Sequence, residues 1–173
     1  MTGTDAELAI LFLDCSRKKL LEESWPRLKN CVAALSEAQL WWRPNDASNS
    51  IGNLLLHLNG NVTQWLLVSF NKNEDRRNRP AEFAARQGTT PAELLAMLDA
   101  TLNEVAVVLR RLTVEELLAQ YQIQGYHVRG LEAVYHVVEH FGQHYGQIAY
   151  IAKTLGGRDL GFFKELDMTG RAE

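Results

Sequence analysis

The sequence predicts an all-α fold built on four long helices, and three observations predict it. Glycine and proline are sparse in four long stretches and gather between them. Within those stretches the apolar residues recur with a helical rather than an alternating period. Helix-start signals stand at the heads of several elements.

The first stretch runs from about Asp5 to Leu35. Ile10, Leu13, Leu20, Leu21 and Leu28 give it a helical period. Pro26 is placed to kink it, because a proline inside a helix removes a hydrogen bond. Ser36 with Gln39 reads as a capping box for a short helix ending near Pro44. Asn45 to Asn49 is turn-like, and Ser50 then caps a second long helix, Ile51 to about Phe70. The polar stretch Asn71 to Pro80, with Arg76, Arg77 and Arg79, reads as a solvated loop. Thr90, Pro91 and Glu93 supply the N-cap, the N1 proline and the N3 acid of a third long helix. That helix carries Leu94, Leu98, Leu102, Val105 and Leu109 and ends near Leu112. Thr113 with Glu116 opens another short helix, and Tyr121 to Gly130 suits a small hairpin. The fourth long helix runs from about Leu131 to Leu155, with Gly156-Gly157 as its stop. Four long helices with short connections suggest a bundle. No repeat or low-complexity segment interrupts the 173 residues, so one domain over 1–173 is expected.

Composition narrows the partners. The formal net charge is −3 and no helix carries a basic stripe, so nucleic acid is not an expected ligand. No run of ~18 apolar residues exists, which excludes a membrane-spanning helix, and the acidic start of the chain lacks the basic region of a signal peptide. The two cysteines, Cys15 and Cys31, fall sixteen residues apart in the first stretch. On one helix that is roughly 24 Å, whereas a disulfide needs Cα atoms within ~7 Å. Two thiols that cannot pair with each other fit a reducing cytoplasm.

The chemistry concentrates in a histidine stripe. In the fourth helix His136, His140 and His144 recur every four residues, ~40° apart around the axis. Val134, Val138, Phe141, Tyr145, Ile148 and Ala152 occupy the opposite sector. The second helix repeats the design, with Asn53, His57, Asn61 and Gln64 on a narrow polar line and leucines and valines over much of the rest. A surface helix usually presents a broad charged face. Here the polar line holds imidazoles and amides, the pattern of an internal polar site whose groups must find partners. Neutral imidazoles are good ligands for zinc, nickel or ferrous iron. Two histidines at i and i+4 converge on one ion, and a third from a neighbouring helix completes a face. His136 and His144 lie roughly 12 Å apart along the axis and cannot share an ion. His140 belongs to either pair, and geometry alone does not choose between His136 and His144. The competing reading is a set of histidines that merely hydrogen-bond within a core. His127 falls in a loop and reads as a surface residue.

At these residues the sequence resembles the DinB-like superfamily, also called the YfiT-type metal-dependent hydrolases. Three blocks carry the resemblance: Ser50 to Asn61 around His57; Arg77-Asn78-Arg79-Pro80-Ala81-Glu82-Phe83; and His136 to Ile148, followed by Lys153 and the tail Asp159-Leu160-Gly161-Phe162-Phe163. The resemblance implies an up-down-down-up four-helix bundle. It implies a divalent metal on His57, His140 and His144, with His136 as a neighbour. Many relatives have arginine after the last histidine; this chain has Tyr145, which leaves the ligands alone and alters the pocket wall. Gln147, one turn beyond His144, and Asn61, one turn from His57, are placed either to orient ligands from behind or simply to satisfy backbone and interhelical hydrogen bonds. Trp41-Trp42 precedes the second helix as a candidate pocket wall, although aromatics at such spacing more often belong to a core.

Two classes of function follow. In the first, the protein is a metal enzyme on a small molecule, either a transferase using a low-molecular-weight thiol or a hydrolase; the resemblance implies both. No catalytic residue is assigned, since no general base is evident beside the stripe: Glu139 neighbours His140 but points some 100° away. In the second, it is a non-catalytic metal-binding or stress-related bundle. A homodimer is expected, with Trp41-Trp42 or Phe162-Phe163 as the covered aromatics.

Overall fold

The computed structural model describes residues 3–157 and 159–162. The protein is mostly helical, with one small two-stranded sheet. The first rod joins α1 (Gly3–Arg17), a π-helical segment π1 (Lys18–Ser24) and α2 (Trp25–Val32). The effect expected of Pro26 takes this form. Its ring has no N–H and presses on the carbonyl four residues back, so the helix widens just ahead of it. Cys15 is exposed and Cys31 buried on this rod, and no disulfide joins them.

The capping box at Ser36 and Gln39 opens α3 (Glu37–Leu40), which stops short of the expected Pro44. Trp41 turns inward there. Its ring lies on the bare backbone of Gly52, where a Cβ would sit 2.7 Å from it, and its indole N–H donates to Thr89 O at 3.0 Å. Trp41 is therefore partly buried against the core, while Trp42 remains 39% exposed.

The second rod runs through α4 (Ile51–Val62), π2 (Thr63–Val68) and α5 (Ser69–Asn71). Ser50 caps it, with Asn53 in the N3 position of the capping box. Asparagine serves better here than the usual glutamate. Its Oδ1 accepts from Ser50 N at 3.1 Å, while its Nδ2 donates to Glu82 O at 2.8 Å and Ala85 O at 2.9 Å. One side chain thus caps α4 and ties down α6 (Arg79–Ala84).

α6 begins on the last two residues of the expected loop, Arg79 and Pro80, and continues through Ala84, a stretch to which the sequence pattern assigns no element. Six residues are too few to display a helical period, but two local signals mark it. Asn78 is its N-cap, accepting from Ala81 N, and Pro80 occupies the first turn.

The third rod is α7 (Pro91–Arg111), with the Thr90–Glu93 capping box, followed by α8 (Val114–Leu118). The hairpin pairs β1 (Gln120–Ile123) antiparallel with β2 (Tyr126–Arg129), from Gln120 opposite Arg129 to Ile123 opposite Tyr126. Gln124 and Gly125 form the turn at φ 53° and 84°, the positive values that a two-residue hairpin turn demands. The fourth rod is α9 (Gly130–Gly156), stopped by Gly157 in the left-handed conformation.

α4 is the centre of the assembly, packing against α6, α7 and α9. It is covered on several sides, so it buries Leu54, Leu55, Leu58 and Val62 together with the polar Asn53, His57 and Asn61. The polar stripe is internal, as its composition suggests. Among the described residues, no helix is long and apolar enough to cross a membrane.

Candidate metal centre

His57 from α4 and His140 and His144 from α9 form a group that can hold a metal ion, with ligand atoms all within 4.8 Å of one another. His57 Nε2 lies 3.2 Å from His140 Nε2, and His144 Nε2 lies 3.2 Å from the same atom. Both helices therefore aim the same ring nitrogen at one point. The two residues on α9 are one turn apart, and the packing of α4 on α9 supplies the third.

The second nitrogen of each ring decides what the first can do. His57 Nδ1 lies 2.9 Å from Glu82 Oε2. Burial pushes the Glu82 carboxyl up, but the hydrogen bonds and charges of Arg77 and His57 outweigh it and hold it below the usual carboxylate range. An ionised carboxylate only accepts, so a hydrogen bond to it requires the proton on His57 Nδ1, the tautomer that leaves Nε2 its lone pair. His144 Nδ1 lies 2.8 Å from Gln147 Oε1, which fixes the same tautomer there. His140 Nδ1 is buried without a hydrogen-bond partner. Burial, reinforced by His144 and His57, lowers the His140 pKa to about 3, so its ring is neutral at physiological pH.

With Nδ1 of His57 and of His144 protonated in this way, two lone pairs point at a third nitrogen that can carry at most one proton. Three mutually facing imidazole nitrogens with this proton arrangement match the donor set of a divalent cation.

His136 stands apart from this convergence. Its Nε2 lies 3.2 Å from Asn61 Nδ2, and its ring stacks on Trp65 at 3.9 Å between centroids. Asn61 therefore contacts His136 and not His57. Glu139 turns aside and accepts a hydrogen bond from Gln143. His127 is exposed.

The segment read as a solvated loop supplies one half of a buried ion pair, Arg77, and α6 supplies the other, Glu82. The Arg77 side chain is 5% exposed. Its Nε donates to Glu82 Oε1 at 2.7 Å and its Nη2 to Glu82 Oε2 at 2.8 Å, while Nη1 donates to Gln64 Oε1 at 2.9 Å. A Cβ at Gly60 would run into both Glu82 Oε1 and Arg77 Nε, so the pair fits only against bare backbone. The polar line of α4 and α9 contains no carboxylate, but α6 brings one against it. Since Arg77 cancels that carboxylate's charge, the net charge of the centre is unchanged.

A cavity of about 460 Å³ opens beside the histidines. Its walls include His57, His140, His136, Asn61, Arg79 and Tyr126. The hairpin closes one side, with Gln124 Nε2 donating to Gln64 Oε1 at 2.6 Å. Arg79 stacks its guanidinium on Phe83 at 5.1 Å, and Phe83 packs on His57 with ring centroids 4.8 Å apart. Among the described residues, Arg79 has no acidic partner. A second groove, of about 820 Å³, lies on the Gln147 side, between Trp42, Pro44 and Tyr150. Trp42 lines it; Trp41 does not.

A family described as "Protein of unknown function (DUF1572)" matches residues 7–166, and the chain belongs to that family. The fold is also similar to that of the crystal structure of the conserved protein of locus from Enterococcus faecalis. That likeness has a TM-score of 0.65 at 16% identity and covers 91% of this chain and 99% of that one. No curated protein matches the chain.

Proposed function

We propose that this protein is a DinB-like metalloprotein, its four rods arranged as an up-down-down-up bundle. In this reading it holds one divalent ion, zinc, nickel or iron, on His57, His140 and His144 and acts on a low-molecular-weight thiol. One observation carries the reading: three convergent imidazole nitrogens beside a cavity, with no fourth protein ligand grouped with them among the described residues. Three ligands and an approachable side are the pattern of a catalytic rather than a closed structural site. A divalent ion held there lowers the pKa of a bound thiol or water and leaves a nucleophile at neutral pH.

Thiol transfer ranks above hydrolysis because no general base stands in the polar line. In such a transfer the thiol loses its proton, its sulfur bonds to an electrophilic carbon, and that carbon's leaving group departs. The ion pair of Arg77 and Glu82 is internally neutral, so a divalent ion on neutral imidazoles leaves the centre cationic and suited to an anionic sulfur. A bundle that binds metal without turnover is the competing class, and it predicts no thiol binding.

The test uses cobalt-substituted protein. Cysteine and glutathione should each produce a sulfur-to-metal charge-transfer band, and a spectrum unchanged by every cellular thiol tried removes the transferase reading. The cavity adds a preference. Arg79, which stacks on Phe83 and has no acidic partner among the described residues, lines the same cavity as His57, so thiols bearing a carboxylate should bind more tightly than cysteamine. Arg79→Gln should narrow that gap by roughly fivefold, the factor that about 1 kcal/mol represents.

We further propose a homodimer, which light scattering over a wide concentration range checks; a monomer throughout removes it. Trp42 and Phe162 remain as candidates for the covered surface, since Trp41 is partly buried against the core and Phe163 lies outside the described residues.

A further inference from the structure

The block from Arg77 to Phe83 has no part in the three-histidine group, yet three of its side chains, Arg77, Glu82 and Phe83, meet on His57. Glu82 accepts from His57 Nδ1. Arg77 grips both oxygens of Glu82. Asn53 holds the Glu82 backbone carbonyl, and Phe83 packs on the His57 ring. Gly60 leaves the space that the ion pair fills.

A histidine that binds a metal through Nε2 works best when Nδ1–H is held by an acceptor. The acceptor fixes the tautomer and the ring plane and makes Nε2 more basic. The usual acceptors are a carboxylate, a backbone carbonyl or water. His144 has only the neutral amide of Gln147, and His140 Nδ1 has no partner at all. His57 alone has a carboxylate, and that carboxylate is itself oriented by a two-pronged guanidinium.

A buried ion pair is a poor way to gain stability, because removing two charges from water costs much of what their attraction returns. Three local arrangements accommodate this one: a bare glycine, an amide clamp and a short helix. Stability alone does not call for such provision.

We propose that Glu82, clamped by Arg77, is the positioning residue that sets His57 as the anchoring ligand of the centre, so that metal affinity is controlled from α6. This rests on the metal reading given above. Arg77 Nη2 also comes within 3.1 Å of His57 Nδ1, and the opposite proton arrangement would have Arg77 donate there. The Nε2 of His57 would then bear the proton, and the three histidines would form a hydrogen-bonded cluster instead of a ligand set. The tautomer of His57 therefore separates the two arrangements without any metal present.

The experiment has two arms. In metal-free wild-type protein, long-range proton–nitrogen NMR correlations should identify His57 as the Nδ1–H tautomer. Zinc titrated against a chromogenic chelator should then bind Glu82→Gln on the order of 10- to 100-fold more weakly than wild type. Arg77→Lys, which keeps the charge but loses the fork, should show a smaller loss, and it serves as the second variant if Glu82→Gln does not fold. An Nε2–H tautomer in the wild type overturns the proposal. So does zinc binding within twofold of wild type in a folded Glu82→Gln. Wild-type protein that takes up no zinc, nickel or iron(II) overturns the metal reading and this proposal together, whereas normal uptake by wild type and Glu82→Gln alike overturns this proposal alone.

Discussion

Alanine at His57, His140 or His144 is expected to reduce bound divalent metal from about one ion per chain to a small fraction of that. His136→Ala is expected to keep it. The asymmetry follows from where the rings are held. His136 is engaged by Asn61 and stacked on Trp65, while His140 stands between the other two Nε2 atoms at 3.2 Å from each. Removing any one of the three should be damaging, because their ligand atoms all lie within 4.8 Å of one another and each would supply one bond to the ion. A three-ligand site that loses one imidazole keeps two, and two neutral nitrogens hold a divalent ion weakly against water and buffer. Elemental analysis of protein purified without an affinity tag reads the result directly. Loss of metal in His136→Ala with retention in His144→Ala would show that the other pair of α9 histidines holds the ion.

Glu82→Leu is expected to cost about 3–5 kcal/mol of folding stability, the usual penalty for removing one partner of a buried ion pair. Arg77 would then keep a buried charge with no carboxylate against it and only the neutral Gln64 amide, the His57 carbonyl and His57 Nδ1 within reach. The double variant Arg77→Met with Glu82→Leu should recover most of that loss, because an apolar pair of similar volume has no charge to desolvate. Urea unfolding of metal-free protein measures both, which separates folding from metal binding. If the double variant is as unstable as the single one, the loss comes from packing and the charge argument fails. Metal affinity should stay low in the double variant even where stability returns, since His57 Nδ1 has then lost its acceptor.

Much of the helical framework was legible in the sequence because its signals are local. Ser50, Thr90 and Thr113 announce helix starts with side chains that bond a backbone N–H three residues on. Gln124 and Gly125 likewise carry a turn that needs only two positive φ values. The histidine stripe was legible for the same reason. Spacing by four on one helix puts His136, His140 and His144 on one face before any tertiary contact forms.

The choice among those histidines was not local. Spacing permits His136 with His140 as readily as His140 with His144. The rotation and register of α4 against α9 bring His57 to the second pair, while Trp65 and Asn61 occupy His136. The Arg77–Glu82 pair was hidden more completely. Arginine and glutamate in a polar stretch are solvated by default, and a six-residue helix has too few turns to declare a period. The chain determined by itself which stretches are helical and which residue types line the polar face. Tertiary structure decided which three imidazoles meet, and that a carboxylate with its own counter-charge stands behind one of them. Such partners are chosen by the close packing of distant segments, Gly60 on Arg77 and Asn53 on α6, and no period along the chain records that contact.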